Sequence, residues 1–175
     1  MIGLVVEADP MLPLAAAVLQ AGTEEPERVL EVECGEGDGA LFLAREFPRA
    51  RVRGVDASAE KIARATARVG LDPEGRIAFK AGGPRALPFP DEHFDLVVQA
   101  AGRAAIEEAA RVLRPGGHLV IVRAERPRDP LGLRRRWGRR RLRRSGFERL
   151  QHGGAGGGSF YVMRLREAVP GTRSE

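Results

Sequence analysis

The residues able to do chemistry concentrate in one short stretch, Glu31-Val32-Glu33-Cys34-Gly35-Glu36-Gly37-Asp38-Gly39, directly after the apolar pair Val29-Leu30. Glycine at every second position lets the backbone turn tightly and lets a ligand approach its N–H groups, with the positive end of a helix behind them. Asp56 ends the next apolar segment, Gly54-Val55-Asp56. A carboxylate there can accept two hydrogen bonds from a ribose diol, or it can cap the helix that follows. Gly35, Gly37 and Gly39 fit a ligand cradle and fit a plain tight turn equally. Cys34 is the single cysteine. It excludes an intrachain disulfide and a cysteine-based zinc cluster, and it reads as a small buried hydrophobe. His93, His118 and His152 lie in different segments without a ligand-spaced partner, so no metal is assigned. His93, beside what reads as the site-facing end of a strand, is the one candidate general base; catalytic residues are otherwise unassigned. Asp95 reads as a turn acid at a strand edge.

The elements that must position these residues follow from the hydrophobic pattern. Residues 11–21 form an apolar helix closed by Gly22, and 28–32 a strand running into the glycine turn. Helices are expected over 39–46, 59–69 (with Ser58 as N-cap), 103–113 and 131–145. Strands are expected over 51–55, 76–80, 94–99, 118–123, 147–151 and 159–165, with Pro115-Gly116-Gly117 as a turn and 153–158 as a glycine-rich hairpin tip. Strands alternating with helices on short connections imply a parallel sheet covered on both faces. The closing hairpin makes the last strand antiparallel. The fold class is therefore α/β: a three-layer Rossmann-like sandwich around a mostly parallel seven-stranded sheet. In such sheets ligands bind beyond the carboxyl ends of the strands, at the switch point, here the first strand.

At 175 residues the chain is one domain, divided as a short helical cap (1–27), a main unit (28–166) and a loose tail (167–175). Its apolar stretches are shorter than the roughly 20 residues of a membrane helix. The N-terminus has no basic n-region, so a cytoplasmic location is expected. The net charge of +5 divides unevenly: residues 1–122 carry −5 and residues 123–175 carry +10. Eight of eleven residues in Arg134–Arg144 are arginines. That run fits phosphate binding with Trp137 stacked on a base, making nucleic acid a candidate partner. It equally fits a solvated helix face that packs through Leu133, Trp137 and Leu142.

Four segments in order resemble class I S-adenosylmethionine (SAM) methyltransferases, above all the bacterial small-molecule and ubiquinone-type enzymes. They are Val29–Gly39, Gly54-Val55-Asp56, Leu87–Val98 and Glu108–Gly117. The resemblance implies SAM as cofactor and a small-molecule acceptor. It places Gly35 and Gly37 in the cofactor loop, Asp56 on the ribose, and Glu31 within reach of the methionine ammonium through water. Three positions depart from the family pattern. Glu33 stands where the first loop glycine leaves room beside the methionine moiety, so its carboxylate must turn away or find an arginine. Gly82-Gly83-Pro84 replaces a Gly-Asp-Ala whose aspartate contacts adenine. Gln99–Arg103 passes almost directly into the next helix, which shortens the roof of the substrate pocket. Weak SAM binding, a site completed in a homodimer, or a non-catalytic module acting through its arginine face are what these departures imply.

Overall fold

A computed structural model of the chain describes residues 11–23, 25–70, 72, 74–100, 102, 104–124 and 136–167. Among these residues seven strands, β1 (Arg28–Val32), β2 (Arg51–Asp56), β3 (Ile77–Ala81), β4 (Phe94–Gln99), β5 (Leu113–Arg123), β6 (Phe147–Ala155) and β7 (Gly158–Leu165), form one sheet. Their order is β3-β2-β1-β4-β5-β7-β6. β1 pairs in parallel with β2 and β4, so the chain winds outward in both directions from β1, and this is the switch point. β7 runs antiparallel to both β5 and β6, so the last strand is antiparallel as expected.

Among the described residues five helices, α1 (Met11–Ala21), α2 (Asp38–Glu46), α3 (Ala59–Val69), α4 (Ile106–Val112) and α5 (Arg136–Arg144), cover the sheet. Alternation along each strand splits the core in two. Val29, Val52, Leu96, Val98, Val120 and Val122 face α1 and α2, meeting Leu14, Ala17, Ala40 and Leu43. Leu30, Val32, Val97, Leu119 and Ile121 point the other way, to Ile106, Ala109, Val112 of α4 and Leu142 of α5. Strands buried on both faces need apolar residues at nearly every position, which is what the central strands carry.

Several boundaries differ from the sequence-based expectation. α4 is shorter, because its first turn starts only at Ile106. β5 begins at Leu113 instead of 118: Leu113 pairs with Phe94 and His118 with Leu96, so the Pro-Gly-Gly turn bulges out of a strand already begun. β6 runs through Gly153-Gly154-Ala155, and the tip is only Gly156-Gly157. Both tip residues have positive φ (53° and 83°), the requirement of a mirror-image two-residue hairpin turn. α5 begins at Arg136 within the described residues; positions 131–135, including Leu133, Arg134 and Arg135, lie outside them, as do 1–10 and 168–175.

The connection from β3 to β4 (residues 82–93) contains no helix. It is pinned by side chains instead. Arg111 on α4 donates to the carbonyls of Leu87 and Phe89 (3.0 and 2.8 Å) and pairs with Asp91 and Glu108, and Glu108 accepts from the Leu87 N–H at 2.7 Å. At the start of β4 Asp95 accepts from the N–H groups of Glu27 and Arg28 and pairs with Arg114 at 2.9 Å, tying the start of β1 to the start of β5. Asp91, Asp95 and Glu108 of the Leu87–Val98 and Glu108–Gly117 segments therefore act on the frame, and the strand-edge reading of Asp95 holds.

Candidate functional site

The glycine turn lies at the carboxyl end of β1, between β2 and β4. Gly37 is required there twice over: its φ is 89°, and a Cβ on it would fall 2.8 Å from the Phe79 ring. Gly35 needs only its positive φ of 56°. The turn is held by its own amides. Cys34 N–H donates to the Val55 carbonyl, Gly35 N–H to Asp56 Oδ2 at 3.0 Å, and Gly37 N–H to the Cys34 carbonyl. These bonds hold the turn in shape, the structural half of the two readings that the glycines allowed. Asp56, 8% exposed, also accepts from the Ser58 N–H at 2.8 Å, so it does serve the start of α3. Each carboxylate oxygen retains a second lone pair, so this duty leaves acceptor capacity for a diol.

Glu31 lies beneath the turn, only 2% exposed. The Ala40 N–H in the first turn of α2 donates to it. Gly39 makes room for it, since a Cβ there would overlap Oε1 and lie 2.7 Å from Cδ. Oε2 is buried with no hydrogen-bond partner. Burial, with the charges of Asp38 and Asp56 adding to it, pushes the carboxyl pKa up to about 8. Cys34 sits beside it with 6% exposure; burial and the Glu31 charge push its thiol up to about 12, which keeps it an inert thiol near neutral pH.

Glu33 takes φ 58°, the left-handed conformation that suits glycine and costs another residue roughly 1 kcal/mol. Its carboxylate accepts from Gln99 Nε2 at 2.5 Å and fills the space beside Gly102, where a Cβ would come within 2.5 Å of Cδ. Gln99, 1% exposed at the end of β4, uses its other amide atom to accept from the Ala105 N–H at 2.9 Å. Arg123 at the end of β5 donates to the Gly102 carbonyl at 2.9 Å, and the Glu33 charge offsets part of the cost of burying that guanidinium. Gln99 and Arg123 escaped the sequence reading. A lone amide closing an otherwise apolar strand is the signal that marks Gln99.

Glu33 and Gly83 both line a cavity of about 590 Å³ between the β3–β4 connection, the start of α4 and Arg141 of α5, a size typical of small-molecule sites. Three of its walls carry acids, and two of these are neutralised: Glu107 by Arg141 and Glu108 by Arg111. Gly83 and Ala86 bridge in a short turn, so the segment that lacks the aspartate is ordered by its backbone.

His93 is not at this site. It precedes β4, at the opposite end of the sheet from the glycine turn, where Nδ1 lies 3.3 Å from the Arg28 guanidinium and the ring packs edge-on against Phe94. Burial and the neighbouring arginines hold its pKa below the usual imidazole value. The reading of His93 as a general base beside the site is thereby corrected; parallel strands all present their carboxyl ends to one side, and a residue before a strand falls on the other. Among the described residues no group of three or more His, Cys, Asp or Glu could hold a metal ion.

Comparison with known proteins agrees with this geometry. The family pattern for a methyltransferase domain matches residues 29–117. The ubiquinone/menaquinone biosynthesis C-methyltransferase UbiE of Syntrophotalea carbinolica is 36% identical over 140 residues, spanning 75% of this chain and 59% of that protein. The corresponding Geobacter sulfurreducens protein is 39% identical over 160 residues, 86% of this chain and 54% of its own length. This chain thus spans little more than half of these relatives. A chain from the complex of the Haloferax volcanii Trm112 methyltransferase activator with a methyltransferase superposes with a TM-score of 0.73 at 17% identity, over 90% of each chain. Phosphoethanolamine N-methyltransferase 2 of Haemonchus contortus, in complex with S-adenosyl-L-methionine, gives 0.70 at 15% identity over 87% of this chain and 52% of that one. The glycine turn at the switch point, the acids ending β1 and β2, and the pinned segments after β3 and α4 all fall inside or beside the matched span, and the chain belongs to the methyltransferase-domain family.

Proposed function

We propose that this chain is a SAM-dependent methyltransferase acting on a small-molecule acceptor. The observation that carries the reading is the buried, partnerless Oε2 of Glu31 beneath the glycine turn, with Asp56 on the neighbouring strand end. Burial holds this carboxyl protonated near neutral pH, and a cationic ligand group nearby would stabilise its ionised form. Glu31 would face the cofactor's ammonium and Asp56 its ribose diol, while Gly35 and Gly37 keep the turn low enough for close approach. When bound, SAM supplies a methyl group made electrophilic by the sulfonium. The chain's own part is to seat the acceptor in the adjoining cavity, exclude water and hold the nucleophile in line, the positioning that supplies much of such barriers. The family match and the quinone C-methyltransferase relatives support this reading. We take residues 28–166 as the catalytic unit, 1–27 as its helical cap and the cytoplasm as its location; no described helix is long and apolar enough to cross a membrane.

A second reading, a non-catalytic module with a degenerate cofactor site acting through its arginine face or as a homodimer, is favoured by one observation: Glu33 sets a carboxylate in the first position of the turn. Its hydrogen bond to Gln99 draws that carboxylate aside, which favours the enzyme. Calorimetric titration of the native chain and Glu33→Gly with SAM and S-adenosylhomocysteine separates the two. Micromolar binding by the native chain is expected. Binding by Glu33→Gly alone establishes the degenerate site, and binding by neither removes the enzyme.

A further inference from the structure

Beside the cavity that Glu33 lines lies a second hollow of about 540 Å³, formed by Glu107, Arg140, Arg141, Arg144 and Ser145. The two hollows share one wall, the Arg141–Glu107 pair, in which Nε and Nη2 of Arg141 donate to the two carboxylate oxygens at 2.5 Å each. That pair neutralises both its charges. Arg140 and Arg144 stand one helical turn apart on α5, both exposed, and among the described residues neither has an acidic partner. Arg85, on the β3–β4 connection, lines the first cavity and is likewise without one. An unpaired guanidinium is a planar fork of donors suited to phosphate or carboxylate oxygens. A solvated helix face would explain unpaired arginines anywhere on α5; it would not explain why Arg140 and Arg144 border a hollow that shares the Arg141–Glu107 wall with the cavity Glu33 lines.

We propose that the acceptor carries an anionic group, phosphate or carboxylate, that Arg140 and Arg144 grip while its reactive end enters the 590 Å³ cavity past the Arg141–Glu107 pair. Arg85 adds positive potential from another wall. The inference rests on the methyltransferase reading of the adjoining site and names its substrate class.

The test uses phenyl phosphate, benzoate, phenol and inorganic phosphate as probes at constant ionic strength, without SAM, so it stands apart from the cofactor titration. Two-dimensional NMR follows the Arg140 and Arg144 side-chain Nε–H resonances and the backbone amides of Ala104 and Ala105, which line the first cavity. Phenyl phosphate or benzoate is expected to move both sets together, with the better of the two identifying the anion. Phenol is expected to bind at least about tenfold more weakly, and so is phenyl phosphate in the Arg140→Gln/Arg144→Gln double variant, a loss equivalent to about 1.4 kcal/mol. Both side chains are exposed, so the variant keeps the native thermal melt. Inorganic phosphate moving the arginines as strongly as phenyl phosphate, with Ala104 and Ala105 still, overturns the proposal in favour of a surface anion contact. A single-stranded RNA oligonucleotide that binds through the same arginines while no small anion does overturns it in favour of a nucleic-acid face. Failure of SAM to bind, with aryl anions still moving both sets, sinks the methyl-transfer reading and leaves the anion site standing.

Discussion

Glu31→Gln is the perturbation whose consequence can be worked furthest. The carboxyl titrates at about 8 in the folded chain against 4.5 in the unfolded one. The folded state therefore keeps a proton that the unfolded state has released. The stability contributed by this group is fully present below about pH 4.5, falls as pH rises, and levels off above about pH 8. At about 1.36 kcal/mol per pH unit, the whole loss is roughly 5 kcal/mol. The amide that replaces the carboxyl cannot ionise, so that slope disappears. It keeps an acceptor for the Ala40 N–H but puts an NH₂ where Oε2 now lies, and a buried unpaired donor costs roughly 1–3 kcal/mol. The protonated carboxyl of the native chain bears the same burden at low pH, so the two proteins should be about equally stable near pH 5. At pH 8 the variant should be the more stable by roughly 2–4 kcal/mol. Urea unfolding followed by far-ultraviolet circular dichroism at pH 5, 6.5 and 8 measures the difference. His93 and the surface acids titrate in both proteins and cancel. A gap between variant and native that stays constant over that range refutes the reasoning, since it means that Glu31 does not change ionisation. A gain in stability with loss of SAM affinity would mark Glu31 as a group kept for binding at the expense of the fold.

Gly39→Ala should lower stability by roughly 1–3 kcal/mol, because the new methyl overlaps the Glu31 carboxylate, which is enclosed by α2 and the sheet. In a Glu31→Ala background most of that cost should vanish, and a double-mutant cycle by chemical denaturation reads the coupling. Arg111→Ala removes the donor that holds Leu87, Phe89, Asp91 and Glu108 together, and should cost roughly 2–3 kcal/mol. Hydrogen exchange should then quicken at Leu87, Phe89 and Phe94 before the rest of the sheet, and an even loss of protection would show that Arg111 does not secure this connection.

What the chain alone determined is the alternation of elements and the place of the glycine turn. The runs Val29–Val32 (apolar but for Glu31), Leu96–Val98 and Leu119–Val122 suit strands buried on both faces, and the glycines at 35, 37 and 39 follow the first of them. Such signals are local, because backbone freedom and hydrophobic period are properties of neighbouring residues. The position of Asp56, at a strand end before a capped helix, was legible for the same reason.

Long-range pairing decided the remainder. His93 falls at the far end of the sheet because β4 runs parallel to β1, a fact about register that no spacing reveals. The strand that starts at Leu113 and the two-residue turn at Gly156-Gly157 depend on partners found in β4 and β7. The fate of Glu33 was the open question in the sequence, and it is settled by Gln99, 66 residues away, whose amide reaches the carboxylate only once β1 and β4 lie side by side. Arg140 and Arg144 likewise gain meaning from Glu107, which pairs with Arg141, while neither of them has an acidic partner among the described residues. Side chains that meet across the sheet carry no mark in the sequence, because the energy that pairs them exists only after the chain has folded.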